Sequence, residues 1–557
     1  MKKKLVILSI GMLPWLATHA QEQDTTLVRT VVVENQYNPT VMDASKINVL
    51  PKVEEPTVPK THIDYATSLR PVSAWNYQAM QPIVKDWKTD AAYRGYLRAG
   101  YGNNGNVDTR LGYLWDISKK DRLKFGASLD GWNGDLASLY DNDWESRLYN
   151  TKIGLDYRHI FKRIDLRLGG NFRSQVFNYV KNEYFVEDEI YYDSRESLLN
   201  KQHQTLVNAY VGFASTDENM LVQFDAEIGF KSFKEKYPIM LRESANKETN
   251  FYVIGDVWTQ NKNGSRLGMD LRFDNYTYAS TLAEDWCALD LNPYFFAQSD
   301  EWKIRLGAHA DWMGGNHDKV YISPDLKVEY IFSQSYVLFA KAEGGRKLSS
   351  LYELIDITPY SCCYEIKPTY ISLDAALGLK ASPANGWWFL VSGGYQIRKN
   401  DICLYLGQSS PLWSVDNIYG KNHALYGNAE LKYDYKDLVN FSLSGTYYHW
   451  DWKNDNQDVP NLTEYALSLK PELEMNANIG FKPVQGLWIN IGYDYIKYCN
   501  DICSDAVNNL SIEANYALIK NLDVFAKVNN LLNKEYIRSC AYPTQKLNFL
   551  GGLSLRF

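Results

Sequence analysis

The sequence predicts an all-β fold: a transmembrane antiparallel β-barrel of about 22 strands, preceded by a short N-terminal segment. Three observations predict it. From Tyr93 onward, apolar and polar residues alternate with a period of two, as in strands whose two faces meet different surroundings. The alternating runs are ten to fifteen residues long, and the connections between them are alternately short and long.

The first residues contain the one continuous apolar run of the chain. Three lysines, Lys2 to Lys4, precede an apolar stretch over 5–17, and small residues follow as far as Ala20. This pattern predicts a secretory signal peptide over 1–20, so we expect an exported protein. The formal net charge of −7 and the absence of a basic run give no indication of nucleic acid binding.

Residues 21–90 alternate little and contain several prolines, as in "VEEPTVPK". We assign them to an N-terminal periplasmic or lumenal segment. Within it, "RTVVVE" is strongly β-prone and could add a strand to a sheet of a periplasmic partner. Packing of the same strand inside the protein's own lumen is an equal alternative. The residues concerned are Thr30, Val31, Val32, Val33 and Glu34.

Residues 91–557 form the predicted barrel. In "RLGMDLRFDNY", Leu267 and Met269 lie on one face of a strand, and Asp270 and Arg272 lie on the other. Soluble sandwiches also alternate, but their strands average ~5–6 residues. The longer runs here suit strands of ~9–11 residues that cross a membrane at a tilt, with apolar residues facing lipid and polar residues facing the lumen.

The connections test this interpretation. Those after even-numbered strands are short, such as "SKKD" at 118–121 and "YKD" at 435–437. Those after odd-numbered strands include long segments near 179–203, 346–369 and 399–423. Short periplasmic turns and long outer loops are typical of outer-membrane barrels. The strands are predicted to begin near 93, 107, 122, 147, 164, 204, 219, 247, 265, 286, 302, 320, 335, 370, 387, 424, 438, 470, 487, 508, 522 and 546.

The last segment, "LNFLGGLSLRF" over 547–557, alternates like the other strands. We expect it to pair with the first strand, because an open sheet edge in lipid would leave backbone N–H and C=O groups without hydrogen bonds.

Seven cysteines lie in, or at the rim of, the predicted outer loops. In an exported chain with no histidine close to these cysteines, disulfides are favoured over a metal site, and free thiols remain an alternative. The seven are Cys287, Cys362, Cys363, Cys403, Cys499, Cys503 and Cys540.

Several stretches carry a family pattern. "FAKVNNLLNKEY" at 525–536, the pair Tyr542-Pro543 and the final "LSLRF" resemble the last two strands of the TonB-dependent receptors. The stretch 338–354, with Tyr352-Glu353, and the pair Lys367-Pro368 resemble the region around that family's thirteenth to fifteenth strands. The resemblance extends from about 335 to 557 and implies a 22-stranded outer-membrane barrel.

The N-terminal part departs from that family. "TLVRTVVVENQ" resembles the TonB-box region, which implies TonB as a partner, and "DASKINVLPKVEEP" resembles the first strand of a plug domain. The family's plug has well over a hundred residues, whereas about 70 are available here before the barrel. Gln545-Lys546 also replaces the family's Gly-Arg near the end of the barrel. The resemblance therefore implies a TonB-dependent receptor barrel whose plug is largely missing.

No catalytic motif is present: there is no P-loop, no GxSxG and no zinc-ligand spacing, so we expect no enzyme, cofactor or metal site. Polar residues predicted to face the lumen carry both charge signs. They are interpreted as a wetted interior with pairs across strands, while a selectivity ladder for one solute is the alternative. These residues are Asp165, Arg167, Arg173, Asp225, Glu227, Arg266, Asp270, Arg272, Lys303, Arg305, Glu430 and Lys432.

The leading hypothesis is an outer-membrane barrel that takes up a solute without a full plug. The alternative is a non-transporting scaffold barrel in an envelope or surface complex, and a barrel hydrolase is a third hypothesis. The expected partners are outer-membrane lipid, TonB or another periplasmic protein through the N-terminal segment, and a surface lipoprotein. Since so wide a lumen needs an obstruction, we expect residues 21–90, the outer loops or a partner to fill it.

Overall fold

The computed structural model describes residues 93–557 with short gaps at 138–142, 181–200, 218, 237–245, 262, 280–283, 316–318, 334, 348–349, 363–365, 408–412, 454–465, 501–505 and 540–541. All the described residues belong to one compact unit. The predicted signal peptide at 1–20 and the whole of the segment 21–90, including its Thr30–Glu34 strand, lie outside the described residues.

The described chain is a closed antiparallel β-barrel of 22 strands. The strands that form it are β1 (Gly95–Gly102), β2 (Val107–Asp116), β3 (Asp121–Ala137), β4 (Asp143–Ile160), β5 (Ile164–Phe177), β6 (Gln202–Ser215), β7 (Gln223–Glu235), β8 (Lys247–Gln260), β9 (Arg266–Tyr278), β10 (Trp286–Gln298), β11 (Trp302–Gly314), β12 (Lys319–Ser333), β13 (Tyr336–Lys347), β15 (Thr369–Ala381), β16 (Trp387–Gly407), β17 (Ser414–Tyr435), β18 (Val439–Lys453), β19 (Pro471–Val484), β20 (Leu487–Tyr498), β21 (Val507–Ile519), β22 (Leu522–Asn529) and β25 (Asn548–Arg556).

Four smaller elements lie in the connections: the helix α1 (Leu351–Ile357), the short strand β14 (Ser361–Cys362) and a two-stranded hairpin of β23 (Ile537–Ser539) and β24 (Tyr542–Pro543). No helix within the described ranges is long and apolar enough to span a membrane.

Each barrel strand pairs with its neighbours in chain order, and the ring closes between β1 and β25. At this seam Leu97 lies opposite Leu555 and Gly100 lies opposite Gly552. β25 pairs on its other side with β22. The predicted pairing of the last strand with the first is therefore confirmed, and the ring has no open edge of unpaired backbone groups.

Outward-facing residues form an apolar belt around the middle of the strands. On β6–β8 the edge of the belt nearer the long connections is formed by Val207, Phe230 and Phe251, which are 47%, 47% and 42% exposed. The edge nearer the short turns is marked by Phe213 and Val222. Residues between these positions point to the opposite, largely polar face. Large apolar side chains exposed in a continuous belt are suited to hydrocarbon, not to water.

The predicted strand starts agree with the structure within one or two residues in most cases, and those at 107, 164, 247, 286, 302, 387, 487 and 522 are identical. The short connections after even-numbered strands are also confirmed, and glycines at positive φ, Gly386 (+83°) and Gly486 (+86°), lie in two of them. After odd-numbered strands the connections vary in length, from four residues between β1 and β2 to 24 between β5 and β6. The prediction of a long loop over 399–423 is wrong. There β16 and β17 continue beyond their neighbours as a long hairpin, paired from Asp401↔Gly420 to Gly407↔Ser414.

A buried ion pair crosses the seam on the inner face. Arg98 of β1 is 2% exposed, and its Nη2 lies 3.0 Å from Oε1 of Glu513 on β21. Its Nε lies 3.3 Å from Asp108 on β2, and the guanidinium stacks 3.6 Å from the centre of the Phe525 ring on β22. A Cβ at Gly100 would lie 2.6 Å from that ring, so the glycine makes room for this packing.

We expect Arg98→Ala to destabilise the barrel by about 3–5 kcal/mol, because Glu513 would remain buried without its cation. Urea unfolding in detergent, followed by the heat-modifiable mobility of the folded barrel on gels, measures this. The control is Arg122→Ala, which removes an exposed pair with Asp116 and should cost less than about 1 kcal/mol. Equal losses in the two variants would contradict the role assigned to Arg98.

Candidate functional site

Apolar side chains from distant parts of the chain form one buried cluster at the end of the barrel that carries the long connections. We call it the mouth cluster. It combines outer strand ends with residues of the connections. Its aromatic members are Trp132, Trp144, Phe177, Tyr179, Phe233, Tyr360, Trp413, Tyr498, Tyr536 and Tyr542.

The mouth cluster joins opposite sides of the ring. β5 is the fifth barrel strand and β17 is the sixteenth, so they are eleven strands apart in a ring of 22. Just beyond β5, the carbonyl of Val180 accepts a hydrogen bond of 3.0 Å from the amide of Trp413, which precedes β17. The connections from the two sides therefore meet across the opening.

A pair of stacked tyrosines lies at the centre of this closure. The rings of Tyr360 and Tyr542 are 3.5 Å apart between centroids and 7° from parallel. Trp144 meets both rings edge-on, and Phe177 meets Tyr360 in the same way. The Tyr542 hydroxyl donates a 2.6 Å hydrogen bond to the carbonyl of Trp413. Such aromatic pairs add roughly 0.5–1.5 kcal/mol each beyond their burial.

The connection between β13 and β15 contributes most to the closure. β14 pairs in parallel with the start of β17, and the amide of Val415 donates 3.1 Å to the carbonyl of Tyr360. This segment therefore crosses over two strands to reach β17. Its backbone groups from Tyr360 to Cys362 pair there with β17, as a buried connection requires.

The helix α1 holds the same connection against β5 and β8. Ser350 caps it by accepting a hydrogen bond of 3.0 Å from the amide of Glu353, and the carboxylate of Glu248 accepts one from the amide of Leu351. Arg173 of β5 donates 3.0 Å to the hydroxyl of Tyr352.

Between α1 and strands β5–β7 a small cavity of about 10 Å³ remains, with space for roughly one water molecule. Arg173, Gln204, Leu206, Phe233 and Tyr352 are among its lining residues. It is too small for a solute.

The structure brings several of the predicted lumenal charges together. Arg167 pairs with Asp225 on β7, and Arg305 pairs with Asp270 on β9. Arg305 also donates 2.6 Å to Asp325 on β12. Two residues on the same face of β17 form a further pair, Lys432 with Glu430 at 2.5 Å.

Other predicted positions contact residues that the sequence did not single out. The partners are Arg158 for Asp165, Tyr352 and Asp356 for Arg173, the Tyr252 hydroxyl for Glu227, and Asp274 for Arg272. Arg266 lies over the rings of Trp258 and Phe296, and no ion pair is found for Lys303 within the described ranges. The pairs mix both charge signs; the wetted interior with pairs across strands stays the prediction, and a dedicated solute ladder stays its alternative.

Cysteine chemistry is limited in the described part of the chain. Cys287, Cys403 and Cys499 are free thiols, so the expectation of disulfides is wrong for these three. Burial raises the pKa of Cys403, on the outer extension of β16, to about 12, and a buried thiol of this kind is a poor nucleophile. Among the described residues, no group of three or more His, Cys, Asp or Glu side chains is arranged to hold a metal ion.

The mouth cluster is the feature that sequence reasoning missed. In the sequence nothing distinguishes Trp144, Phe177 and Trp413 from other strand or loop residues, and Tyr542 stands out only as part of a family pattern. The available signal was the wealth of Tyr and Trp in the outer connections. That signal does not say which aromatic residues meet, because Tyr360 and Tyr542 are brought together only by the closed ring.

Comparison of the barrel with solved structures finds metal transporters and an import receptor. The FrpB iron transporter of Neisseria meningitidis has a TM-score of 0.64 at 11% identity, covering 84% of this chain and 82% of that one. The ferric-catecholate import receptor Fiu of E. coli K12 gives 0.61 at 10% identity, covering 84% and 82%. The copper transporter OprC gives 0.60 at 12% identity, covering 84% and 80%.

No family model and no curated protein matches the sequence. At these low identities the structural likeness shows the fold alone. The resemblance to TonB-dependent receptors is therefore confirmed for the barrel fold.

We expect Tyr542→Ala to loosen the mouth cluster. The change removes the stacked ring and the hydrogen bond to Trp413, and losses of this kind cost about 3–5 kcal/mol in a packed core. Backbone amides of Trp413 and Val415 should then exchange with deuterium at least about a hundredfold faster. Tyr542→Phe, which keeps the ring, should change exchange by less than about tenfold. Unchanged exchange in Tyr542→Ala would contradict the closure.

The stability of the outer end should depend on pH. Burial raises the pKa of Glu235 and of Glu248, both above the apolar belt, to about 7. Since these pKa values exceed the ordinary value of 4.5, the folded state binds the protons more tightly. This stabilisation is complete below pH 4.5 and is lost as the pH rises through about 7.

The melting temperature in detergent should accordingly be higher at pH 5.5 than at pH 8.5. Glu235→Gln should raise it at pH 8.5 by roughly 2–4 °C and reduce the difference between the two pH values. The exposed Glu301→Gln serves as the control and should change neither quantity. A protein that melts higher at pH 8.5 would refute this assignment.

Proposed function

We propose that this protein is an outer-membrane barrel that admits a solute through its lumen, and that the mouth cluster is the barrier on the outer side. The observation that carries the proposal is the geometry of the barrel: an apolar belt outside, charged pairs inside, and one end closed by connections from opposite sides of the ring. A barrel closed by its own outer connections can open when those connections move.

The fold supports uptake as the class of activity. The structures that it resembles are described as iron and copper transporters and as import receptors. Their fold is shared at 10–12% identity, so the cargo of this protein is an open part of the proposal. The proposal places the protein in the outer membrane and assigns it transport, not catalysis.

The N-terminal segment supplies the second half of the proposal. Residues Thr30–Glu34 would add a strand to TonB or a related periplasmic protein, and residues 21–90 would obstruct the lumen from the periplasmic side. Both statements rest on the sequence, because these residues lie outside the described part of the chain.

A scaffold barrel is the second candidate, and one observation favours it. The mouth cluster is buried as thoroughly as a protein core: Phe177 is fully buried and Tyr542 is 1% exposed. A closure that is packed so tightly would also suit a rigid outer surface that binds a partner, such as a surface lipoprotein, without a conformational change. Stoichiometric co-purification of such a partner, combined with a barrel that never conducts, would favour the scaffold.

Conductance in planar bilayers tests the transport proposal with four proteins: the full chain, a deletion of residues 21–90, Tyr542→Ala, and the combination. Two barriers in series must both be removed before ions pass, so the combined variant should conduct most. If the obstruction by residues 21–90 is real, deleting them should raise the conductance of the Tyr542→Ala barrel by at least about tenfold.

Each outcome bears on one part of the proposal. Equal conductance with and without residues 21–90 in the Tyr542→Ala background would remove the obstruction by that segment. A folded combined variant that stays closed would remove transport through the lumen and leave the scaffold. Heat-modifiable mobility on gels establishes that each variant is folded.

A further inference from the structure

Two pairs of aspartates lie side by side on the inward face of β8–β11. Asp256 lies directly opposite Asp270, and Asp290 lies directly opposite Asp311. Asp290 also lies opposite Arg272, the next inward residue of β9 after Asp270, so the two pairs occupy neighbouring rows. Directly opposite side chains have Cβ atoms about 4.5–5.5 Å apart, and like charges in such positions repel. We call these four carboxylates the acidic wall.

Arginines near the acidic wall compensate its charge only in part. Arg305 lies 2.5 Å from Asp270, but it also binds a carboxylate of β12 at 2.6 Å. Arg346 lies 4.0 Å from Asp311 and is bound more closely by Asp274. Within the described ranges, no other arginine or lysine lies within 4.0 Å of the acidic wall. Four carboxylates therefore share two arginines with further acidic residues.

The Asp290–Asp311 pair also lacks hydrogen-bond donors. Among the described residues, neither carboxylate oxygen of Asp311 accepts a hydrogen bond, although its side chain is only 1% exposed. One oxygen of Asp290 has no partner there either, and the other shares a hydrogen bond of 2.9 Å with His309. Burying a carboxylate without donors costs free energy. A cation that carries N–H groups would supply both the missing charge and the missing donors.

Aromatic rings line the same part of the inward face. The Tyr294 hydroxyl donates 2.9 Å to Asp256, and the Tyr294 ring lies 4.0 Å from the guanidinium of Arg305. Tyr321 on β12 lies directly opposite Asp311. Aromatic faces attract ammonium and guanidinium groups, and one arginine of the protein already uses this attraction here.

The acidic wall is accessible from the lumen at one end. The side chains of Asp270 and Asp290 are 38% and 21% exposed, whereas Asp311 is buried. A solute in the lumen would therefore contact Asp270 and Asp290 directly, and Asp311 would add its charge from behind them.

The ligand chemistry of the acidic wall favours an organic cation over a bare metal ion. In the part of the chain that the structure describes, no group of three or more His, Cys, Asp or Glu side chains is arranged to hold a metal. A primary ammonium group has three N–H donors, so it can bind two carboxylates and still lie against an aromatic ring.

We propose that the acidic wall binds a primary ammonium group of the solute that the barrel admits, so that the cargo belongs to the organic amines. The inference rests on the proposed function, in which the solute passes through the lumen. It adds the chemical class of the solute and the carboxylates that recognise it.

The test measures binding of 1,5-diaminopentane to the full-length protein in a neutral detergent by isothermal titration calorimetry. Wild type and full-length Tyr542→Ala are both titrated, because the mouth cluster closes one route into the lumen. We expect binding at least to Tyr542→Ala. The probes 1,5-pentanediol and glutarate have the same chain length with neutral or anionic ends, and they should bind at least about tenfold more weakly.

Substitutions in the Tyr542→Ala background locate the site. Asp256→Asn combined with Asp290→Asn should weaken amine binding by at least about tenfold, because two charged acceptors are lost. Within the described ranges neither carboxylate pairs with an arginine or lysine, so no buried cation is left behind. The matched control combines Asp156→Asn with Asp494→Asn, two inward aspartates that lie opposite no other carboxylate. It should change binding by less than about threefold.

A metal ion is tested as the alternative ligand. Calcium titrated alone should bind more weakly than 1,5-diaminopentane. Tighter calcium binding that is lost in the Asp256/Asp290 variant would overturn the amine in favour of a metal ion. Equal amine binding with and without these two carboxylates, or no binding to Tyr542→Ala, would overturn the inference altogether.

The outcome for the inference is separate from the outcome for transport. Heat-modifiable mobility on gels shows whether each variant folds. A barrel that conducts in the combined Tyr542 and 21–90 variant but binds no amine would keep transport and lose the acidic wall as its recognition site. A barrel that never conducts but binds the amine through Asp256 and Asp290 would keep the site and remove transport.

Discussion

The whole structure depends on one constraint: each backbone N–H and C=O group within the belt must find its partner inside the barrel. Lipid offers no replacement hydrogen bond, so the sheet has to close. Closure occurs where β25 lies between β22 and β1, and glycines at this seam let the strands and the Phe525 ring pack closely. Arg98, which reaches over the seam to Glu513, shows that closure also draws on side chains from strands that are far apart in sequence.

Along a single strand, the apolar face changes sides. On β5, Phe172 faces outward within the belt, whereas Phe177 faces inward and is fully buried in the mouth cluster. β7 repeats the change with Phe230 outward and Phe233 inward. The reason is that the apolar surroundings differ along the strand. Around its middle they are the lipid on the outward side, and at its outer end they are the packed protein on the inward side. The lumenal side at belt level carries charged pairs such as Arg305 with Asp270.

The same change explains the outward surface above the belt. Once apolar side chains turn inward at the outer end, the alternate positions carry polar and charged residues, and on β6–β8 these are all basic when ionisable. The closure of the mouth and the polar outward surface above the belt therefore have one geometric origin.

The sequence by itself determined the barrel, because a period-two pattern, strand length and connection parity are local properties. The starts of β2, β8 and β20 were read correctly from a few neighbouring residues each. The long hairpin of β16 and β17 was misread as a loop, since beyond the belt no lipid imposes alternation on the outward face. Only the tertiary structure decided which residues meet at the mouth. Tyr360 and Tyr542 are 182 positions apart, and their stacking follows from the curvature of a closed ring, which no local pattern encodes.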